Sequence, residues 1–124
     1  MVSLLAFVNG CALFVVTAAA GAGVAGYAYV DGEVKATEGS SLNSTWNAAL
    51  ATMKELEYPI TSQAKDALQA NLTARNASNT SISIKLKNLS NTSTEIRIRV
   101  GTFGDEALSR TILNKINSHL QAGS

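Results

Sequence analysis

Several residue types that build common functional sites are scarce in this chain of 124 residues. A single cysteine excludes an intramolecular disulfide and any zinc site that needs several cysteines. A single histidine excludes metal motifs built on a histidine pair and argues against a Ser-His-Asp triad. Because the net charge is only +1, the chain as a whole offers no electrostatic attraction to nucleic acid, and we expect no such partner.

Charged side chains are absent from the first quarter of the chain. Residues 1–30 contain none, and all Lys, Arg, Asp and Glu residues lie between positions 31 and 124. This asymmetry predicts three parts. Residues 1–10 are a truncated lipoprotein signal segment, residues 11–30 are a lipid-anchor junction with an Ala/Gly-rich hydrophobic stretch, and residues 31–124 are a soluble α+β domain.

The cysteine is the candidate attachment point for lipid. Val8-Asn9-Gly10-Cys11 places an aliphatic residue three positions before Cys11 and a small residue immediately before it, as lipoprotein-processing enzymes require. Acylation of Cys11 would add several hydrocarbon chains, which exceeds what stable membrane attachment needs. An inert, buried cysteine is the alternative.

A second interpretation treats residues 2–30 as one transmembrane helix. The stretch exceeds the ~20 apolar residues that span a bilayer. Ala18, Ala22 and Gly26 recur every four positions and would form a small-residue face for helix packing. The chain would then be a self-assembling membrane protein. Residues 17–26 are mostly Ala and Gly, which are weakly hydrophobic and insert poorly.

Two amphipathic helices are predicted in the soluble part. The first follows an N-cap at Ser40 or Ser41, ends before Pro59 and buries a stripe that includes Trp46 and Met53. The second follows Asp105, whose carboxylate suits a helix start. Its apolar stripe comprises Leu108, Ile112, Leu113, Ile116 and Leu120.

Alternating patterns predict the strands. Residues 33–37 form the first strand, which could begin as early as residue 27. Residues 60–64 with 68–75 form one strand that is interrupted or bent around Lys65-Asp66. Residues 81–87 and 95–100 alternate strictly and predict a hairpin. The order strand, helix, three strands, helix indicates an α+β domain with an antiparallel sheet packed on two helices.

The hairpin predicts a candidate anion-binding face. Alternation places Lys85 and Lys87, and likewise Arg97 and Arg99, opposite the apolar positions, and Arg75 is placed to join them. Like charges across a strand pair are unfavourable, so an anion such as a lipid phosphate, a lipopolysaccharide core or a polyanionic glycan would stabilise them. Alternatively, solvent and the nearby Glu95 would offset these positive charges without any bound anion. No aromatic side chain interleaves with these cations, so bases would have no stacking surface.

Catalysis is not expected, because no nucleophile–base pair can be named. Asp105 and Glu106 are explained by helix capping, and His119 is expected to be exposed and without a role. We predict no cofactor and no metal. Tyr27 and Tyr29 suit either a bilayer interface or packing beneath the first strand.

Three segments carry a family resemblance: residues 27–37 (YAYVDGEVKAT), 61–68 (TSQAKDAL) and 99–109 (RVGTFGDEALS), together with the Gly10-Cys11 junction and the Trp46 helix. The chain resembles domain-of-unknown-function family 3568, a family of small bacterial lipoproteins, from Gly10 to about Leu120. The resemblance implies a lipid-anchored envelope protein and supplies no catalytic residue. The uncharged, short start and the Asn/Ser/Thr-rich middle depart from the family pattern.

These observations predict a non-enzymatic protein with a structural, assembly or binding role, anchored by palmitate or a similar acyl chain on Cys11. Expected partners are membrane lipid, an anionic envelope polymer or another protein, including a second copy of the chain. Since Ala12 is not the acidic residue associated with inner-membrane retention, we expect the outer membrane, facing the periplasm.

Overall fold

The computed structural model describes residues 26–122, which form a six-stranded sheet and two helices. The elements are β1 (Tyr27–Val30), β2 (Glu33–Glu38), α1 (Leu42–Leu56), β3 (Ile60–Lys65), β4 (Gln69–Arg75), β5 (Ser81–Ser90), β6 (Ser93–Val100) and α2 (Glu106–Ala122). The predicted class, an α+β domain with an antiparallel sheet packed on two helices, is confirmed.

The strands lie in the order β1-β2-β6-β5-β4-β3, and every neighbouring pair is antiparallel. The predicted hairpin is present as β5 and β6, with Ile84 opposite Ile98. The connection through α1, β3, β4 and β5 brings β6 back beside β2, so two strands that are far apart in the chain become neighbours. This non-local pairing decides which charged residues meet on the sheet.

The region predicted as one strand, interrupted or bent around Lys65-Asp66, forms two separate strands. β3 and β4 pair as a hairpin, with Gln63 opposite Leu72. The Asp66 carboxylate accepts hydrogen bonds from the backbone N–H groups of Leu68 and Gln69, at 2.8 and 2.9 Å, and closes the turn between them. These bonds hold the pKa of Asp66 below its ordinary value.

The folded domain begins earlier than residue 31. β1 pairs with β2 from Tyr27 opposite Ala36, because the Asp31-Gly32 turn adopts positive φ at both residues. A membrane helix reaching residue 30 is therefore wrong for residues 27–30. The rest of the predicted leader, residues 1–25, lies outside the described residues. No helix within residues 26–122 has the length and apolarity needed to span a bilayer.

Both helices cover the same face of the sheet and enclose the core. Ser41 caps α1 by accepting the Ser44 backbone N–H, and Glu57 ends the helix in a left-handed conformation. Trp46 and Met53 pack in the core as predicted. Among the described residues, the branched aliphatic side chains with no exposed surface come from the strands and from α2: Val34, Leu72, Ile82, Ile84, Ile96, Ile98, Ile112, Leu113 and Ile116.

Candidate anion-binding face

No helix or strand within residues 26–122 covers the face of the sheet opposite the helices, and this open face is rich in cations. Alternation with the buried positions places six of the ten Lys and Arg residues on it, but only two of the nine acidic residues. We call this surface the cationic face. It is defined by Lys35, Arg75, Lys85, Lys87, Arg97 and Arg99, together with Glu33 and Glu95.

Three of these cations form a row across adjacent strands. Arg97 on β6 lies opposite Lys35 on one side and opposite Lys85 on the other. Side chains in such register positions start only about 5 Å apart, so three positive charges stand side by side. The row concentrates positive charge at the middle of the cationic face.

Neutralisation of this charge within the domain is partial. The Arg97 Nε donates to the Glu95 carboxylate at 3.3 Å, and Lys87 lies opposite the same glutamate in the register. Among the described residues, Lys35, Lys85 and Lys87 have no hydrogen bond or ion pair through their side chains. These ammonium groups are available to an external anion.

Two of the five predicted cations are already engaged with backbone oxygens. The Arg99 guanidinium donates to the carbonyl oxygens of Asp31 and Thr102 and lies 3.9 Å from a Glu33 oxygen. Arg75 donates to the Asn79 carbonyl at the end of β4. The predicted clustering is thus seen for Lys85, Lys87, Arg97 and Arg99, with Arg75 at the margin. Anion binding itself stays a prediction.

Sequence reasoning missed Lys35. Its position between the buried residues Val34 and Ala36 already indicated an outward direction. The pattern could not show that β2 lies beside β6, because strand neighbours distant in the chain are not encoded in local alternation. Lys35 therefore joins the predicted residues only through the tertiary pairing.

A tight corner borders the cationic face, where the turn after β1 meets the loop after β6. Gly104 has φ +88°, and a Cβ there would lie 2.6 Å from the Gly32 carbonyl oxygen and from the Tyr29 hydroxyl. Only glycine allows this approach. The side chain of the preceding residue, Phe103, is 93% exposed. The RVGTFGDEALS segment therefore builds a close-packed corner that carries an aromatic ring into solvent.

The two N-terminal tyrosines pack against the domain, which favours the packing interpretation over a bilayer interface. Tyr27 donates its hydroxyl proton to Glu106 at 3.0 Å and accepts from Arg110 at 3.2 Å. This contact raises the pKa of Arg110. Both tyrosines are partly buried against the core.

The histidine has a partner, contrary to expectation. His119 Nε2 lies 2.7 Å from one Glu55 oxygen, and the Lys115 ammonium lies 2.9 Å from the other. These two hydrogen bonds hold the pKa of Glu55 below its ordinary value. The cluster joins the two helices, so a structural ion pair accounts for these residues. The described residues contain no group of three or more His, Cys, Asp and Glu side chains suited to a metal ion.

One acidic group lies on the covered side of the sheet. Glu38, at the end of β2, is only 7% exposed, and its burial raises the pKa of its carboxyl group to about 7. Asp105, by contrast, accepts the Leu108 backbone N–H at 3.0 Å and caps α2 as predicted.

Cys11, the predicted lipidation site, lies outside the described residues. Comparison with known families gives one finding that includes it. The family model described as "Protein of unknown function (DUF3568)" matches residues 1–119, which covers the leader, Cys11 and almost the whole folded domain. Among curated proteins, no sequence matches the chain.

Proposed function

The chain belongs to the DUF3568 family, and from that premise we propose that it is a non-enzymatic, lipid-anchored protein of the bacterial envelope. Acylated Cys11 holds it to the outer membrane, and the folded domain faces the periplasm. There it has a binding or assembly role, carried out through its cationic face. Two features support this proposal: the Val8-Asn9-Gly10-Cys11 motif within the matched region, and the open sheet surface.

The observation that carries the binding role is the row Lys35–Arg97–Lys85. Three adjacent cations with one nearby carboxylate partner destabilise the sheet in isolation and are stabilised by an external anion. Binding by an exposed surface of this kind needs no enclosed pocket and no catalytic group.

The anchor would keep this surface near the membrane. Residues 12–26 can span at most about 50 Å when fully extended, so the first strand cannot lie further than that from an acylated Cys11. The cationic face thus works at short range from the lipid headgroups. Its binding is favoured by the high local concentration of whatever anions lie there.

Intact-mass analysis and N-terminal peptide mapping of the protein from its native membrane test the anchor. We expect a mature chain that begins at acylated Cys11 and partitions with outer-membrane fractions. Cys11→Ser is the matched control, and it should lose the acyl mass and associate more weakly with the outer-membrane fraction. A native chain that retains residues 1–10 and an unmodified Cys11 contradicts the proposal.

A further inference from the structure

We infer that the cationic face docks flat on the phosphate layer of an anionic phospholipid bilayer, with Phe103 entering the interface at one corner. The inference deepens the proposed function by naming what the face binds, and it rests on the envelope location. It does not depend on acylation, since the contact is made by the folded domain itself.

Positive charges are concentrated on the cationic face of the domain, and negative charges are concentrated elsewhere. The cationic face has six cations and two acidic residues, so four Lys and Arg residues and seven acidic residues are left for all other positions. A bilayer with negative headgroups attracts the first side and repels the second. This polarity orients the whole domain, and each lysine near an anionic surface contributes about a factor of five to tenfold in binding.

The shape of the site favours a surface over a single small anion. Lys35, Arg97 and Lys85 occupy three neighbouring strands, which lie about 4.8 Å apart, and no helix or strand within residues 26–122 lies over their row. Within residues 26–122, two clefts of about 520 and 330 Å³ are lined in part by α1 and its N-cap, on the helix side of the sheet. A row of cations on a flat sheet matches an array of phosphates in a plane.

Exposed apolar side chains distinguish a bilayer from a soluble polyanion. Val30, 53% exposed, lies on the open side opposite Glu33, and Phe103 lies at the corner beyond Arg99. The Arg99 bonds to Asp31 and Thr102 and the close approach of Gly104 to Gly32 hold this corner rigid. An aromatic ring on a rigid corner next to cations suits the headgroup level of a membrane, where aromatic residues are favoured.

The entry point of the leader is compatible with flat docking. Gly26 precedes β1, which is an edge strand, so the point at which the leader joins the domain lies at an edge of the sheet. Tyr27 and Val30 mark opposite ends of this edge. Anchor and docking surface can therefore contact one membrane together.

Vesicle flotation of the full chain bearing Cys11→Ser tests the inference. Vesicles of phosphatidylcholine alone are compared with vesicles containing phosphatidylglycerol, so that binding by the apolar leader is common to both. The test variant is Lys85→Gln with Lys87→Gln. The matched control is Lys54→Gln with Lys65→Gln, which removes the same charge from exposed positions outside the cationic face.

We expect the preference for anionic vesicles to fall about thirtyfold in the test variant and less than about threefold in the control. Phe103→Ser should weaken binding to anionic vesicles and leave binding to soluble polyphosphate unchanged. Equal losses in both double variants, or equal binding to both vesicle types, overturns the inference. Polyphosphate binding that requires Lys85 and Lys87, without a preference for anionic vesicles, also overturns it and indicates a polyanionic glycan.

The result is separable from the test of the anchor. Native protein with an unmodified Cys11, combined with the expected preference for anionic vesicles, would contradict the lipid anchor and support the docking surface. Acylated Cys11 in the native protein, combined with equal binding to both vesicle types, would support the lipid anchor and contradict the docking surface.

Discussion

The two faces of the sheet are built from the same strands but differ in their side chains: one face is apolar and covered by the helices, and the other is cationic and open. On the covered face, Ile84, Ile96 and Ile98 are completely buried beneath the helices. On the open face, Lys85 and Arg97, which lie opposite each other in the register, share a surface that nothing among the described residues covers. Because side chains alternate, a one-residue register slip would move the cations into the core. The core therefore fixes where the cationic face lies.

The difference also separates stability from binding. Burial of aliphatic side chains on the covered face supplies most of the favourable free energy of folding. The open face contributes little to it, and its like charges oppose folding slightly. Substitutions on the covered face should change the free energy of unfolding, whereas those on the open face should change what the domain binds.

The largest effect is expected for Ile98→Ala. Removing a fully buried side chain from the central strand leaves a cavity and should lower the free energy of unfolding by about 4 kcal/mol. Thr37→Ala, at an exposed position on the open side of β2, is the control and should change it by less than about 1 kcal/mol. Urea unfolding monitored by Trp46 fluorescence measures both. A similar loss in the two variants would contradict the division between the faces.

An intermediate effect is expected for Glu38→Gln, the acidic residue on the covered face. The folded chain binds the Glu38 proton more tightly than the unfolded chain, whose carboxyl pKa is near 4.5. Stability from this group is therefore complete below about pH 4.5 and is lost as the pH rises through 7. The variant should be more stable than the native chain by up to about 3 kcal/mol at pH 8 and nearly equal to it at pH 4.5.

Glu95→Gln on the open face is the control for that experiment. Glu95 accepts a hydrogen bond from Arg97 and is not buried among apolar groups, so its removal should not stabilise the domain at pH 8. Unfolding curves recorded from pH 4.5 to 8 compare the two variants. If the difference in the free energy of unfolding between the native chain and Glu38→Gln does not change with pH, burial does not raise the pKa of this carboxyl group.

The smallest effect is expected from two lysines of one strand. Lys85 lies opposite Arg97, whereas Lys87 lies opposite Glu95. Lys85→Thr should therefore stabilise the domain by a few tenths of a kcal/mol at low salt, and Lys87→Thr should not. The gain should vanish at high ionic strength because exposed charges are screened. Thermal unfolding at two salt concentrations measures it, and an equal response of both variants would count against the cross-strand repulsion.

The local hydrophobic pattern of the sequence predicted much of this fold, because helical spacing and strand alternation depend on residues only a few positions apart. The alternation in residues 81–87 and 95–100 placed Lys85 and Arg97 on one face, and helical spacing placed Trp46 and Met53 in the core. The pattern failed at residues 60–75, where the hairpin depends on hydrogen bonds of one Asp66 side chain. It also failed for His119, whose partner lies 64 positions earlier in the chain.

The amino-acid sequence by itself determined the helices, the direction of the side chains along β5 and β6, and the family of the chain. These properties depend on neighbours a few residues apart or on motifs read directly. Only the tertiary structure decided that β2 lies beside β6 and thereby set Lys35 next to Arg97. The tertiary structure also decided that Glu38 is buried and that Gly104 lies close to Gly32. Each of these contacts joins distant parts of the chain through packing, which local periodicity does not record.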